Sequence, residues 1–105
     1  MNKKDKKRKN KKEGGEMKEK IKKLQKTLNE WNEKNILVKE EGFLKSKYKI
    51  EKMKYDINYE ILTIIGKEER YIKINLNQIY KIEQKGNQIK IYLDNDMTIS
   101  LEVET

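Results

Sequence analysis

The fold is decided by residues 80–101, which read YKIEQKGNQIKIYLDNDMTISL. Apolar and polar side chains alternate along this stretch, and a period of two is typical of a β-strand with one buried face. Two polar breaks interrupt the alternation, at Gly86-Asn87 and at residues 94–96. Gly and Asn both tolerate the positive φ that a two-residue hairpin loop requires. The stretch therefore predicts three antiparallel strands joined by two tight turns.

The hydrophobic pattern also predicts the register, because a slip of one residue turns every side chain to the opposite face. A two-residue first loop pairs Ile82 with Ile91. A three-residue second loop pairs Ile91 with Ile99, whereas a two-residue loop would place Ile91 opposite Ser100. We therefore expect the three-residue loop. Further pairs in this register are Tyr80 with Leu93, Gln84 with Ile89, and Ile89 with Leu101.

The same test extends the predicted sheet upstream. A loop at residues 77–79 pairs Ile74 with Ile82, and a loop at residues 67–69 pairs Leu62 with Ile74. Five strands then form an antiparallel meander with one shared apolar face. The central row of that face reads Leu62, Ile74, Ile82, Ile91 and Ile99. Residues 43–55 predict one more long strand, whose register the pattern leaves open.

An amphipathic helix is predicted before the sheet, over residues 16–35. Its narrow apolar stripe is formed by Met17, Ile21, Leu24, Leu28 and Trp31. The stripe has helical spacing. Two heptads are short for a coiled-coil dimer seam, so packing against the sheet is favoured. After the helix we expect a short strand at residues 36–39 and a turn at residues 40–42.

These patterns together predict an α+β domain over residues 16–105, with the helix packed on a five- or six-stranded meander that is either an open sheet or a small barrel. A chain of 105 residues suffices for one such core and not for two. The expected strands are 43–55, 60–66, 70–76, 80–85, 88–93 and 97–103.

The composition argues against most familiar enzyme chemistry. The chain has no Cys and no His, which excludes disulfides, thiolate or imidazole metal ligands, and nucleophiles activated by a His base. No apolar run approaches the roughly 20 residues that span a bilayer, and no signal-peptide pattern is present. We therefore expect a cytoplasmic, non-enzymatic protein without a metal or cofactor.

Two short sequence features resemble functional sites. Residues 94–96 (DND) resemble the opening of a calcium loop, but Thr98 and Ile99 occupy positions where that loop needs a ligand and a glycine, so a hairpin turn is favoured. Ser100 faces Lys90 in the predicted register and is interpreted as a polar cross-strand neighbour rather than as a nucleophile.

Positive charge is concentrated at the N-terminal end. The chain carries a net charge of +8, and residues 1–15 hold eight basic residues against two acids. This segment has almost nothing to bury, so we expect it to be disordered, with Gly14-Gly15 as the hinge. Clustered basic side chains gain free energy by releasing counterions from phosphates. The predicted nucleic-acid contacts in this tail are Lys3, Lys4, Lys6, Lys7, Arg8, Lys9, Lys11 and Lys12.

The outer face of the predicted meander is a second candidate surface, because sheets that bind oligonucleotides place aromatic rings among basic side chains. Its predicted contacts are Tyr71, Lys73, Lys81, Lys90 and Tyr92. A simpler interpretation is favoured: Glu83 lies between Lys73 and Lys90, as in a charge ladder that keeps this face in water.

The sequence thus predicts a small basic accessory protein, monomer or homodimer, that associates with DNA or RNA without sequence preference, or with a nucleoprotein complex, through its lysine-rich tail. The alternative is a protein-interaction or inhibitor module that uses a sheet edge or the outer face, with the tail incidental. Attachment to an anionic membrane surface is a weaker hypothesis, and no integral membrane contact is expected.

Overall fold

The computed structural model describes residues 17–104, in which a helix, α1 (residues 17–30), precedes eight strands. The predicted basic tail and its eight contact residues lie outside the described residues. The strands are β1 (Ile36–Glu41), β2 (Ser46–Ile50), β3 (Lys54–Asn58), β4 (Ile61–Ile65), β5 (Tyr71–Asn75), β6 (Ile79–Lys85), β7 (Gln88–Leu93) and β8 (Thr98–Val103).

The strands form two open antiparallel sheets. One has five strands in the order β2-β1-β8-β7-β6, and the other has three in the order β3-β4-β5. The predicted class, an α+β domain with one N-terminal helix packed against antiparallel β-structure, is confirmed. The sheets are open, so the barrel alternative is wrong.

The local strand pairings agree with the predicted register. Leu62 lies opposite Ile74, Ile82 lies opposite Ile91, and Ile91 lies opposite Ile99. These pairs join strands that are neighbours along the chain, where loop length and the buried face together restrict the register. The central apolar row is therefore correct within each sheet.

Both turns predicted within residues 80–101 are also confirmed. Gly86 has a φ of 60°, as a two-residue hairpin loop beginning with glycine requires. In the following turn the Leu93 amide donates to the Met97 carbonyl at 2.8 Å, which closes a three-residue loop, and Asp96 adopts a φ of 67°. Asn95 Oδ1 accepts from the Met97 amide at 3.1 Å, so this side chain serves the hairpin.

The continuous five-stranded meander is wrong at one junction, because Ile74 does not pair with Ile82. Their strands, β5 and β6, belong to different sheets. A 3-10 turn, Leu76–Gln78, separates them, and the Asn75 side chain accepts from the Asn77 amide at 2.9 Å where the turn begins. The Leu76 amide donates to the Glu60 carbonyl at 2.9 Å, so the turn is held against the β3–β4 hairpin.

The single long strand predicted over residues 43–55 is likewise wrong. It is two strands, β2 and β3, in different sheets. Between them Lys52 has a φ of 51°, and Met53 is fully buried. The Met53 amide donates to the Lys34 carbonyl at 2.9 Å, and the Met53 carbonyl accepts from the Glu33 amide at 2.8 Å. These bonds hold the corner against the segment that follows the helix.

The helix ends earlier than predicted, and the strand after it is longer. α1 stops at residue 30, and Glu33 has a φ of 69°, which is incompatible with a helix continuing to residue 35. The expected strand at 36–39 is present, but it extends into the expected turn as far as Glu41 and lies between β2 and β8.

The helix closes the core from one side. Leu24, Leu28 and Trp31 are buried in one cluster with the inner faces of both sheets, so the predicted docking of the stripe is confirmed. Thr27 Oγ1 donates to Gln84 Oε1 on β6 at 2.7 Å, while the Tyr55 hydroxyl on β3 donates to Asn29 Oδ1 at 2.9 Å. Since α1 packs on the inner side, it leaves the outer face of the five-stranded sheet uncovered.

Candidate nucleic-acid interface

The outer face of the five-stranded sheet is rich in lysine, and we call it the lysine face. Its residues alternate with the buried residues of the five strands. Six lysines and three glutamates give it a net positive charge. Its members are Leu37, Lys39, Glu41, Lys47, Lys49, Lys81, Glu83, Lys85, Gln88, Lys90, Tyr92, Thr98, Ser100 and Glu102.

Three lysines lie in one row across four adjacent strands of the lysine face. Lys47 is opposite Lys39, Lys39 is opposite Ser100, and Ser100 is opposite Lys90. Lys90 in turn lies opposite Glu83 on β6. Ser100 is only 7% exposed. Like charges directly opposite each other destabilise a sheet. Within residues 17–104 none of the three lysines forms an ion pair, so the repulsion between Lys39 and Lys47 is not offset by a salt bridge.

A pair of tyrosines lies beside this row. The ring centroids of Tyr80 and Tyr92 are 6.2 Å apart, with an interplanar angle of 53°. Lys81 Nζ lies 5.1 Å and Lys90 Nζ 6.0 Å from the Tyr92 ring centroid, within cation–π range. Aromatic rings among ammonium groups are the combination that sheet surfaces use to bind oligonucleotides.

A β-bulge brings Tyr80 to this surface. Ile79 pairs with Leu93 and Lys81 pairs with Tyr92, so Tyr80 has no partner on β7. The predicted pairing of Tyr80 with Leu93 is therefore wrong. Ile79 supplies the buried side chain instead, at 6% exposure, and Tyr80 is 60% exposed. The bulge inserts one residue, which reverses the alternation locally.

Glu83 fixes the position of Tyr92. The Tyr92 hydroxyl donates to Glu83 Oε1 at 2.8 Å, and Lys81 Nζ lies 3.4 Å from Glu83 Oε2. The hydrogen bonds from Tyr92 and Lys81 lower the pKa of Glu83, and the bond to Glu83 is the main reason that the pKa of Tyr92 is raised. Glu83 therefore stays ionised and Tyr92 stays neutral at neutral pH.

The predicted sheet contacts divide between the two sheets. Lys81, Lys90 and Tyr92 lie together on the lysine face. Tyr71 and Lys73 lie on the outer face of β5, in the three-stranded sheet, so they do not join that group. Their assignment to one surface followed from the wrong pairing of β5 with β6.

The sequence analysis did not identify Lys39, Lys47 and Lys49 as part of this surface, or Tyr80 beside it. Lys39 and Lys47 lie on β1 and β2, whose pairing was not predicted because the pattern of residues 43–55 leaves their register open. The alternation of apolar Val38 with polar Lys39 could have indicated that Lys39 lies on the outer face of a strand. Tyr80 was assigned to the buried face, and nothing in a period-two pattern marks a bulge.

A different exposed feature is the tip of the β1–β2 hairpin. Phe43 is fully exposed and Leu44 is 74% exposed. An ideal Cβ on the neighbouring Gly42 would lie 3.0 Å from Met97 Cγ, which places this tip beside the β7–β8 loop. The two adjacent side chains form a small exposed apolar patch, and larger patches of this kind mark contact surfaces.

Comparison with known proteins gave no match to a family model, to a curated protein or to a solved structure. Residues 17–104 contain no cluster of acidic side chains arranged to hold a metal ion. No helix in this described part has the length and apolarity to cross a membrane. Function is therefore inferred from the charges, rings and exposures given above.

Proposed function

We propose that the protein binds nucleic acid through the lysine face, with the basic N-terminal segment adding affinity. The observation that carries this proposal is the row of Lys47, Lys39 and Lys90 around Ser100. Lys39 and Lys47 are like charges directly opposite each other on adjacent strands, which costs folding free energy, and a bound phosphate backbone would offset that repulsion. Each engaged lysine also releases counterions from the nucleic acid, which favours binding.

The contacts available on this face suit the phosphate backbone better than base edges. The commonest specific readout of guanine uses a bidentate Arg or Lys, and Arg is favoured because its planar group presents a fixed fork. The lysine face contains no Arg. Arg70 lies outside it and donates from Nη1 to the Lys49 carbonyl at 3.3 Å. The proposal is therefore binding without strong sequence preference, to DNA or RNA.

A charge-matched pair of variants tests this proposal. Replacing Lys39, Lys47 and Lys90 with Gln should weaken binding and reduce the slope of log affinity against log salt by about 2 for single strands, at about 0.7 per phosphate contact. The control replaces Lys18, Lys22 and Lys26 of α1, which are exposed and lie off the lysine face. It removes the same charge and should leave the slope nearly unchanged.

Fluorescence anisotropy with labelled oligonucleotides between about 50 and 200 mM salt gives both slopes. Equal effects of the two variants would mean that binding follows net charge and not the lysine face. Absence of salt-sensitive binding by the wild-type chain would refute nucleic-acid binding altogether.

A second candidate function is a protein-interaction module, and the exposed pair Phe43 and Leu44 favours it. The pair is next to β2, an edge strand of the five-stranded sheet. This function predicts a purified partner complex that survives nuclease treatment and is lost when both residues are replaced by Ser. Nucleic-acid binding through the lysine face predicts loss of the captured material on nuclease treatment.

A further inference from the structure

Tyr80 is exposed on an edge strand, beside the row of lysines. Its own strand, β6, is the last in the five-stranded sheet, so one side of its ring is not flanked by a further strand. The Tyr92 ring, on the neighbouring strand β7, lies at a centroid distance of 6.2 Å from the Tyr80 ring. Tyr80 thus lies beside the Tyr92 ring, and its side chain is 60% exposed.

The two tyrosines differ in what holds their hydroxyl groups. The Tyr92 hydroxyl donates to Glu83. The Tyr80 hydroxyl forms no hydrogen bond with any residue in 17–104. The bulge allows Ile79 to fill the buried position on this part of β6, and it leaves Tyr80 largely exposed. With 60% exposure within the described part of the chain, the Tyr80 side chain can offer a ring face to another aromatic surface.

The width of the sheet limits which nucleic acid can reach this ring. The major groove of B-DNA is about 12 Å wide and admits a helix or a two-stranded ribbon. Five strands spaced about 4.8 Å apart span roughly 19 Å between the outermost two. The lysine face therefore cannot enter the groove, and the bases of a duplex have no free ring face to offer Tyr80.

An unpaired base satisfies these conditions. It exposes its ring to stacking, while its flanking phosphates reach ammonium groups such as Lys81 and Lys90. We infer that the lysine face takes single-stranded nucleic acid, with an unpaired base stacked on Tyr80 and the backbone following the lysine row. This inference rests on the proposed function and narrows its ligand to one class.

The three-stranded sheet provides a matched control for Tyr80. Tyr71 is 56% exposed against 60% for Tyr80, and both lie on an edge strand of their sheet. Lys73 Nζ lies 5.9 Å from the Tyr71 ring centroid. Tyr71 is on the other sheet and off the lysine face. The experiment compares Tyr80→Leu, Tyr80→Phe and Tyr71→Leu in the full chain, using oligothymidylate of about 12 nucleotides and a duplex of similar length.

Loss of stacking should weaken single-strand binding by Tyr80→Leu about 5- to 150-fold, since one base–aromatic stack contributes about 1 to 3 kcal/mol. Tyr80→Phe keeps the ring and should bind within about twofold of wild type, as should Tyr71→Leu. The salt slope should not change in any of them, because no charge is removed. Thermal melting of each variant provides the folding control.

The outcomes separate this inference from the proposed function. If Tyr80→Leu binds like Tyr71→Leu, or if the duplex binds as tightly as the single strand, the stacking inference is wrong while lysine-face binding stands. If Tyr80→Phe loses as much affinity as Tyr80→Leu, the aromatic ring is not what binds. If the lysine variant also has no effect, the proposed function itself fails.

Discussion

Leu28→Ala should lower the free energy of unfolding by about 2 to 5 kcal/mol, the range for removing a fully buried Leu side chain. Leu28 is 0% exposed and lies on the stripe that packs α1 against both sheets. Ala is the better helix former, so the loss cannot come from helix propensity and must come from the lost apolar burial and the cavity left behind.

Chemical denaturation followed by circular dichroism measures this difference. Lys26→Ala is the control, because Lys26 is exposed on the same helix and its replacement should change stability by less than about 0.5 kcal/mol. An unchanged midpoint for Leu28→Ala would mean that the helix is not docked.

Gly66→Ala should also be strongly destabilising, by about 3 kcal/mol, because it overpacks the junction between the two sheets. A Cβ at Gly66 would collide with the Glu51 carbonyl oxygen and with Ile50 Cγ2, and it would lie 3.2 Å from the Glu51 amide nitrogen. Two of these three atoms are backbone, so they cannot move aside as the end of a flexible side chain would. The Lys67 amide donates to the same Glu51 carbonyl at 2.9 Å, which holds the junction closed.

Gly86→Ala separates a steric cause from a conformational one. Gly86 has a φ of 60°, but a Cβ there meets no atom within 4 Å. Its replacement should therefore cost only the left-handed backbone strain, about 1 kcal/mol. A larger loss at Gly86 than at Gly66, in matched denaturation curves, would contradict the close approach of the sheets.

The pairings of β4 with β5, β6 with β7 and β7 with β8 were the part of the fold that could be predicted from sequence. Where strands are neighbours along the chain, the loop length and the apolar alternation restrict the pairing, as they do for Ile82 and Ile91. The junction between β5 and β6 could not be predicted this way. A strand that pairs with its predecessor and one that crosses to a second sheet show the same period of two, because both bury one face.

The same limit applies to the residues of the candidate site. Lys81, Lys90 and Tyr92 were found because they lie on hairpins with a predictable register. Lys39 joins them through the pairing of β1 with β8, strands that are far apart in the sequence. No local sequence pattern predicts such a contact. The alternation of apolar and polar residues also gives no sign of the bulge at Tyr80.

The most direct measurement of the central claim is the mapping of backbone amide shifts in the isotope-labelled full chain during titration with single-stranded oligonucleotide. Binding through the lysine face predicts the largest perturbations on β1, β2, β6 and β7, around Lys39, Lys47, Tyr80 and Lys90, with Tyr71 on β5 unchanged. Perturbations confined to the N-terminal segment, to α1 or to the three-stranded sheet would contradict the account.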